Sequence, residues 1–99
     1  MIKTMVRNLT SPRTDNAVAN QFVIETKKGS FFQSYSSLVA KVDNKGVVTL
    51  SQWWDYSNTT RKYLYQFLKE HGYYNLNSKA VRKLIKDKEF KYKEDITMW

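Results

Sequence analysis

The first part of the chain shows short apolar runs separated by polar turns, a pattern typical of β-strands. Residues 2–7 alternate weakly between apolar and polar side chains, as a half-buried strand does. Residues 8–16 are polar and contain the chain's one proline, Pro12, so we predict a loop there. Residues 21–27 form a second predicted strand, and Lys28-Gly29-Ser30 has the composition of a tight turn.

The apolar run over residues 31–42 changes its phase midway. Phe31 and Tyr35 are odd-numbered, whereas Leu38, Ala40 and Val42 are even-numbered. A flat strand would turn one of these sets away from the core, so we predict one strand with a bulge near Ser36-Ser37. A turn at residues 43–46 and a further strand at residues 47–50 complete three antiparallel strands, or four when the N-terminal strand joins them.

The second part of the chain has the 3.6-residue period of amphipathic helices. Ser57 is suited to cap a helix whose apolar stripe runs from Thr60 to His71, and Gly72 follows as a stop signal. Ser78 is the predicted cap of a second helix. Residues 89–99 show no clear period, which is consistent with either a short strand or a tail ending on Trp99.

These elements predict an α+β fold, with a three- to four-stranded antiparallel sheet and two C-terminal helices packed on one face. At 99 residues and 11.8 kDa the chain has room for one core, so we expect a single domain over residues 1–99.

The composition argues against most catalytic and cofactor chemistry. The chain has no cysteine, and His71 is its one histidine, on the apolar stripe of the first helix. The three glycines fall in turns, so neither a phosphate-binding loop nor a dinucleotide fingerprint is present. We therefore expect a protein that is not an enzyme and that needs neither a cofactor nor a metal. A metal-dependent nuclease using a carboxylate such as Asp55 is the remaining catalytic alternative.

No apolar run approaches the length of a membrane span, and the first ten residues lack the apolar segment of a secretory signal. We expect no membrane association and a cytoplasmic location.

Positive charge is concentrated in the C-terminal part of the chain. The net charge is +8, and residues 79–93 hold seven basic and two acidic residues, a net +5. Such a surface suits a phosphate backbone, the acidic surface of another protein or anionic lipid, and it is also what a merely solvated helix face shows. The candidate binding residues are Arg61, Lys62, Tyr65, Lys79, Arg82, Lys83 and Lys86.

Aromatic residues are dense around the first helix. Tyr65 falls on the polar side of that helix, beside Arg61 and Lys62, where an exposed ring would stack on a base. Trp53 and Trp54 are expected to be core residues, with stacking as the alternative.

Several segments resemble a family of small, uncharacterised bacteriophage and prophage proteins. The resemblance covers most of the chain and lies in N-L-T-S (residues 8–11), N-Q-F-x-I (20–24), F-Q-S-Y (32–35), V-x-L (48–50) and W-D-Y-S-x-T-T (54–60). It implies phage origin and action in the cytoplasm of a bacterial host, and it supplies no catalytic residues.

Our leading hypothesis is a non-enzymatic, phage-type protein that binds nucleic acid or a nucleic-acid-handling host protein such as a CRISPR nuclease. A specific form of it is an anti-CRISPR or other anti-defence inhibitor. The alternative is a phage structural or assembly protein that self-associates through its aromatic surface.

Overall fold

A computed structural model describes residues 4–11 and 13–97 as an α+β fold built on a six-stranded sheet. The strands are β1 (Met5–Thr10), β2 (Ala17–Thr26), β3 (Gly29–Ser34), β4 (Ser37–Asp43), β5 (Val48–Leu50) and β6 (Lys91–Tyr92). Between β5 and β6 lie a 3₁₀ helix (Gln52–Asp55), α1 (Asn58–Lys69) and α2 (Ser78–Lys86). Residues 2 and 3 of the predicted first strand, Pro12 and Trp99 lie outside the described residues.

The α+β class is confirmed, but the sheet is larger than the sequence predicted. Its strand order follows the chain, with β1 to β5 antiparallel to their neighbours and β6 parallel to β5. Parallel neighbours need a long crossover connection, usually helical. The segment containing α1 and α2 is that crossover, so the helices precede the last strand.

The prediction of one bulged strand over residues 31–42 is wrong, because the chain reverses there. Tyr35 and Ser36 form the loop of a hairpin in which Ser34 pairs with Ser37. Tyr35 adopts a positive φ of 56°, which the tight reversal requires. A bulge does exist, but it is at Val39, between the residues that pair with Phe32 and Gln33.

The N-terminal hairpin also differs from the prediction. β1 continues to Thr10 and β2 begins at Ala17, so residues 8–10 of the predicted loop belong to a strand. Leu9 is fully buried, and the Asn8 side chain donates a hydrogen bond to the Val18 carbonyl at 2.9 Å. This burial and cross-strand bonding outweigh the loop-like local composition.

Both helices contribute to one core on one face of the sheet, as predicted. From the sheet, Val23, Phe32 and Leu50 join this core, while Val81 is the buried residue of α2. The α1 residues in it are Tyr63, Leu64, Phe67 and Leu68. Phe32 and Phe67 stack with ring centroids 5.9 Å apart, linking sheet and helix directly.

The opposite face of the sheet carries a smaller cluster. Ile24 and Phe31 pack there against Ile96, which comes from the segment after β6. The Lys93 amide donates to the Leu50 carbonyl at 2.9 Å and so places this segment beside β5. Burial of Ile96 and pairing of β6 settle what the sequence left open for residues 89–97.

The helix caps fix where each helix begins. Ser57 caps α1 as predicted, its hydroxyl accepting from the Thr60 amide at 3.1 Å. The predicted cap Ser78 is instead the first residue of α2, because Asn77 accepts from the Ala80 amide at 2.8 Å. Asparagine and serine are both good caps, and the backbone selects Asn77, which is the extended residue.

Candidate functional site

The outer surface of α2 carries the clearest concentration of charge. Its four basic residues fall within an arc of about 100° at the helical period, opposite the buried Val81. All four are exposed, and we call them the α2 basic face: Lys79, Arg82, Lys83 and Lys86. Lys83 lies 3.6 Å from Asp87, one turn later. Among the described residues, no carboxylate lies within ion-pair distance of Lys79 or Lys86.

Arg61 and Arg82 converge on the carboxylate of Asp55, for which the sequence predicts only a candidate catalytic group. Arg61 Nη1 lies 2.6 Å from Asp55 Oδ1, and Arg82 Nη2 donates to Asp55 Oδ2. The Arg82 guanidinium also lies 5.5 Å from the centroid of the Trp54 ring, within cation–π range. We call these three ionic residues the Asp55 cluster; it ties the 3₁₀ helix, α1 and α2 together.

The Asp55 cluster has no signal in the sequence, since Asp55 and Arg82 are separated by 27 residues. The two arginines of the cluster differ in their exposure to solvent. Arg61 is largely covered and also bonds Asn58, whereas the Arg82 side chain remains 59% exposed. Because a guanidinium has five N–H donors, Arg82 retains donors that point away from Asp55.

Lys62 and Tyr65 lie on a groove of about 380 Å³ between α1 and the linker to α2. The Lys62 ammonium lies 5.3 Å from the centroid of the Tyr63 ring. Tyr65 is half-buried, and its hydroxyl is enclosed without a hydrogen-bond partner among the described residues. Tyr65 therefore does not present the open ring that the stacking hypothesis assigns to it.

The enclosed hydroxyl of Tyr65 should make the stability of the protein depend on pH. Burial raises the pKa of Tyr65 above its ordinary value of 10.0, although Arg61 opposes the shift. The unfolded chain therefore loses this proton first, and stability falls as the pH rises above about 10. At pH 7, Tyr65→Phe should leave the free energy of unfolding unchanged or raise it by up to about 1 kcal/mol, because it removes an unpaired polar group. It should also lose less stability above pH 10.

Urea denaturation of the wild type and Tyr65→Phe at pH 7 and pH 10.5 measures both effects. A loss of more than about 1 kcal/mol in the variant at pH 7 would show that the hydroxyl is hydrogen-bonded.

A second concave feature, which the sequence analysis did not anticipate, lies between the β3–β4 turn and the start of α1. This pocket of about 480 Å³ brings together the F-Q-S-Y and W-D-Y-S-x-T-T segments. Tyr35 and Tyr56 are 60% and 73% exposed at its rim. The Tyr56 ring meets that of Trp53 edge-on, with centroids 5.9 Å apart. We call this concave feature the tyrosine pocket.

The polar lining of the tyrosine pocket consists of serine, threonine and tyrosine hydroxyls. The Ser57 hydroxyl donates to Thr60 Oγ1 at 3.1 Å, and Ser34 Oγ lies 3.5 Å from the same oxygen. The described residues that line the pocket include no lysine, arginine, aspartate or glutamate. The pocket is thus a neutral site rich in groups that both donate and accept hydrogen bonds.

His71 packs edge-on against Phe67, with ring centroids 4.9 Å apart, at the end of α1. Within residues 4–11 and 13–97, no three histidine, cysteine, aspartate or glutamate side chains are grouped to hold a metal ion. In the same residues, none of the helices has the length and apolar character needed to cross a bilayer.

The fold and the two sites define a small α+β protein with a basic helix face and a neutral aromatic pocket. A family model described as a family of unknown function (DUF8033) matches residues 4–91, so the chain belongs to that family. The resemblance to an uncharacterised family is confirmed at this level. No curated protein and no solved structure matches the chain.

Proposed function

We propose that this protein binds nucleic acid through the α2 basic face, with Arg61 and Lys62 of α1 contributing, and that it does so without catalysing a reaction. The observation that carries the proposal is the arrangement of α2. Its four basic side chains are exposed on one arc, while Val81 is buried on the other side. A row of exposed cations on one helix face can neutralise phosphates along a nucleic-acid backbone.

Arg82 is the best-positioned member of this face. Asp55 and the Trp54 ring hold its guanidinium, and more than half of the side chain is open to solvent. A pre-positioned guanidinium loses less conformational entropy on binding a phosphate than a free one does. Lys79 and Lys86, which have no carboxylate partner among the described residues, add mobile charge on either side.

The proposal extends to the biological setting. The sequence motifs that resemble phage and prophage proteins support phage origin and action in the cytoplasm of a bacterial host. An anti-defence role is a specific form of the proposal, in which the basic face competes for the nucleic-acid channel of a host enzyme such as a CRISPR nuclease. Capture of a host protein from nuclease-treated lysate would favour this form over direct binding.

Direct binding has a quantitative signature in its salt dependence. Fluorescence anisotropy with a labelled oligonucleotide should show log affinity falling linearly with log salt. The slope should be about −3, since four phosphates contacted on a single strand give roughly −0.7 each. A slope near zero, or the absence of binding at low salt, would overturn the proposal.

Self-association remains a second candidate because of the edge of the sheet. β1 is an edge strand of the described sheet, and its residues Met5 and Val6 are exposed. An exposed apolar edge strand is a template for pairing with a second copy. Light scattering coupled to size-exclusion chromatography measures this directly. A stable dimer without salt-dependent binding would favour assembly over nucleic-acid recognition.

A further inference from the structure

We infer that the tyrosine pocket binds one unstacked base of a single-stranded nucleic acid. The inference rests on the proposed function and deepens it, because it specifies single strands over duplex. In a duplex the bases are paired and stacked, so only a strand with free bases can place one in a pocket of this kind.

The aromatic rings provide the stacking surface. Tyr35 and Tyr56 are exposed at the rim, and Trp53 supports Tyr56 edge-on from within. Tyr56 remains 73% exposed despite this contact, and a base contributes most when its flat face meets an open ring. Because every base has such a face, this part of the recognition is independent of sequence.

The hydroxyl lining suits the polar edge of a base. Ser34, Ser57 and Thr60 already bond one another, whereas Ser36 and Thr59 are exposed on the pocket lining. Because each hydroxyl both donates and accepts, these two can match the donors and acceptors of a neutral heterocycle. A phosphate or carboxylate would need a cation beside it, and the described lining residues include no lysine or arginine. The pocket therefore selects the neutral part of a nucleotide.

Two arginines, Arg61 and Arg82, are tied to residues that neighbour the pocket lining in sequence. Tyr56 lines the pocket, while its neighbour Asp55 holds Arg61 and Arg82. Ser57, the cap of α1, and Thr60, in its first turn, line the pocket, and Arg61 follows directly. One strand can thus place its phosphates on the arginines and a base in the pocket. The volume of about 480 Å³ falls among small-ligand pockets, which span roughly 300–1,000 Å³.

The test compares two strands that have the same phosphates. Anisotropy is measured with a roughly 12-nucleotide thymidine strand and with an abasic strand of equal length. The wild type should bind the thymidine strand at least about fivefold more tightly, the lower end of what one stacked base contributes. Tyr56→Ala should abolish this difference and leave affinity for the abasic strand unchanged. Tyr35→Asn should reduce it, since asparagine tolerates the positive φ at that position.

Tyr74→Ala is the matched control. The exposed fraction of Tyr74, 61%, is similar to those of Tyr35 and Tyr56, but Tyr74 lies outside the pocket. The variant should therefore retain the full difference in affinity between the two strands. Circular dichroism verifies that each variant is folded.

Three outcomes would overturn the inference, and they are distinguishable. Equal affinity of the wild type for both strands would refute the base pocket and leave the proposed function standing. A difference that persists in Tyr56→Ala would place base recognition elsewhere. Failure of both strands, and of a duplex of the same length, to bind would refute the proposed function itself.

Discussion

Replacing Lys79, Lys83 and Lys86 together by glutamate is expected to abolish nucleic-acid binding while leaving the fold intact. All three side chains are exposed, and the one ion pair lost is the surface contact of Lys83 with Asp87. An exposed pair of this kind contributes about 0–1 kcal/mol, so stability should change little. Affinity at low salt should fall about 100-fold or more, and the salt slope should lose about 2 for a single strand.

Arg82 is deliberately kept in this triple variant. A glutamate at position 82 would place a second carboxylate beside Asp55 and would remove the contact with Trp54. Loss of binding would then be confounded with damage to the Asp55 cluster. Keeping Arg82 separates the charge of the α2 basic face from the packing beneath it.

The matched control reverses the charge of three exposed lysines that lie outside the α2 basic face. Lys27 and Lys28, in the β2–β3 turn, and Lys45, in the β4–β5 turn, are exposed and lie outside α2. Their replacement by glutamate lowers the net charge from +8 to +2, as the α2 triple does. The α2 triple should lose binding and the turn triple should keep most of it. Equal losses in the two variants would show that affinity follows net charge and not this face.

The α2 basic face was predictable because a helix's period converts sequence spacing directly into position on a surface. Four basic residues at spacings of three, one and three must share an arc once the segment is helical, and the opposite apolar arc made it helical. The cap at Ser57 was predictable for the same reason, since its hydroxyl bonds an amide only three residues away. Local chemistry decides both features.

The predictions of the sheet are wrong at places where local composition does not determine the backbone conformation. A change of apolar phase can come from a bulge or from a reversal, and nothing in Ser36-Ser37 separates the two. The reversal at Tyr35 depends on a positive φ in a residue that rarely adopts one. β6 has only two residues, and its parallel pairing with β5 depends on where the two helices end.

The functional geometry that sequence reasoning missed is non-local. Asp55 and Arg82 meet because α2 packs beside the 3₁₀ helix, and the tyrosine pocket forms because a hairpin turn meets the start of α1. The segments on both sides of that pocket, F-Q-S-Y and W-D-Y-S-x-T-T, stand out as motifs in the sequence. Their proximity follows from the fold alone, since Tyr35 and Tyr56 are 21 residues apart.

Replacing Gly29 by alanine is expected to be the most destabilising of the single substitutions considered. Gly29 is buried at the start of β3, where it pairs with Asp43 and has a φ of +133°. A Cβ there would lie 2.3 Å from the Val42 carbonyl oxygen and 2.8 Å from the Asp43 Cα. Both are backbone atoms held in the sheet, so they cannot move aside as a flexible side chain would. Overpacking and backbone strain each cost about 1–3 kcal/mol, and together we expect about 3–5 kcal/mol.

Gly46→Ala and Gly72→Ala separate the two causes of that loss. Both glycines also have positive φ, at 83° and 93°, but an added Cβ would meet nothing within 4 Å. They should therefore lose only the conformational contribution, about 1–2 kcal/mol. Urea denaturation followed by circular dichroism compares the three variants with the wild type. If Gly29→Ala lost no more than the other two, the close approach of β3 to the Val42 carbonyl would be refuted, because strain at positive φ alone would account for all three.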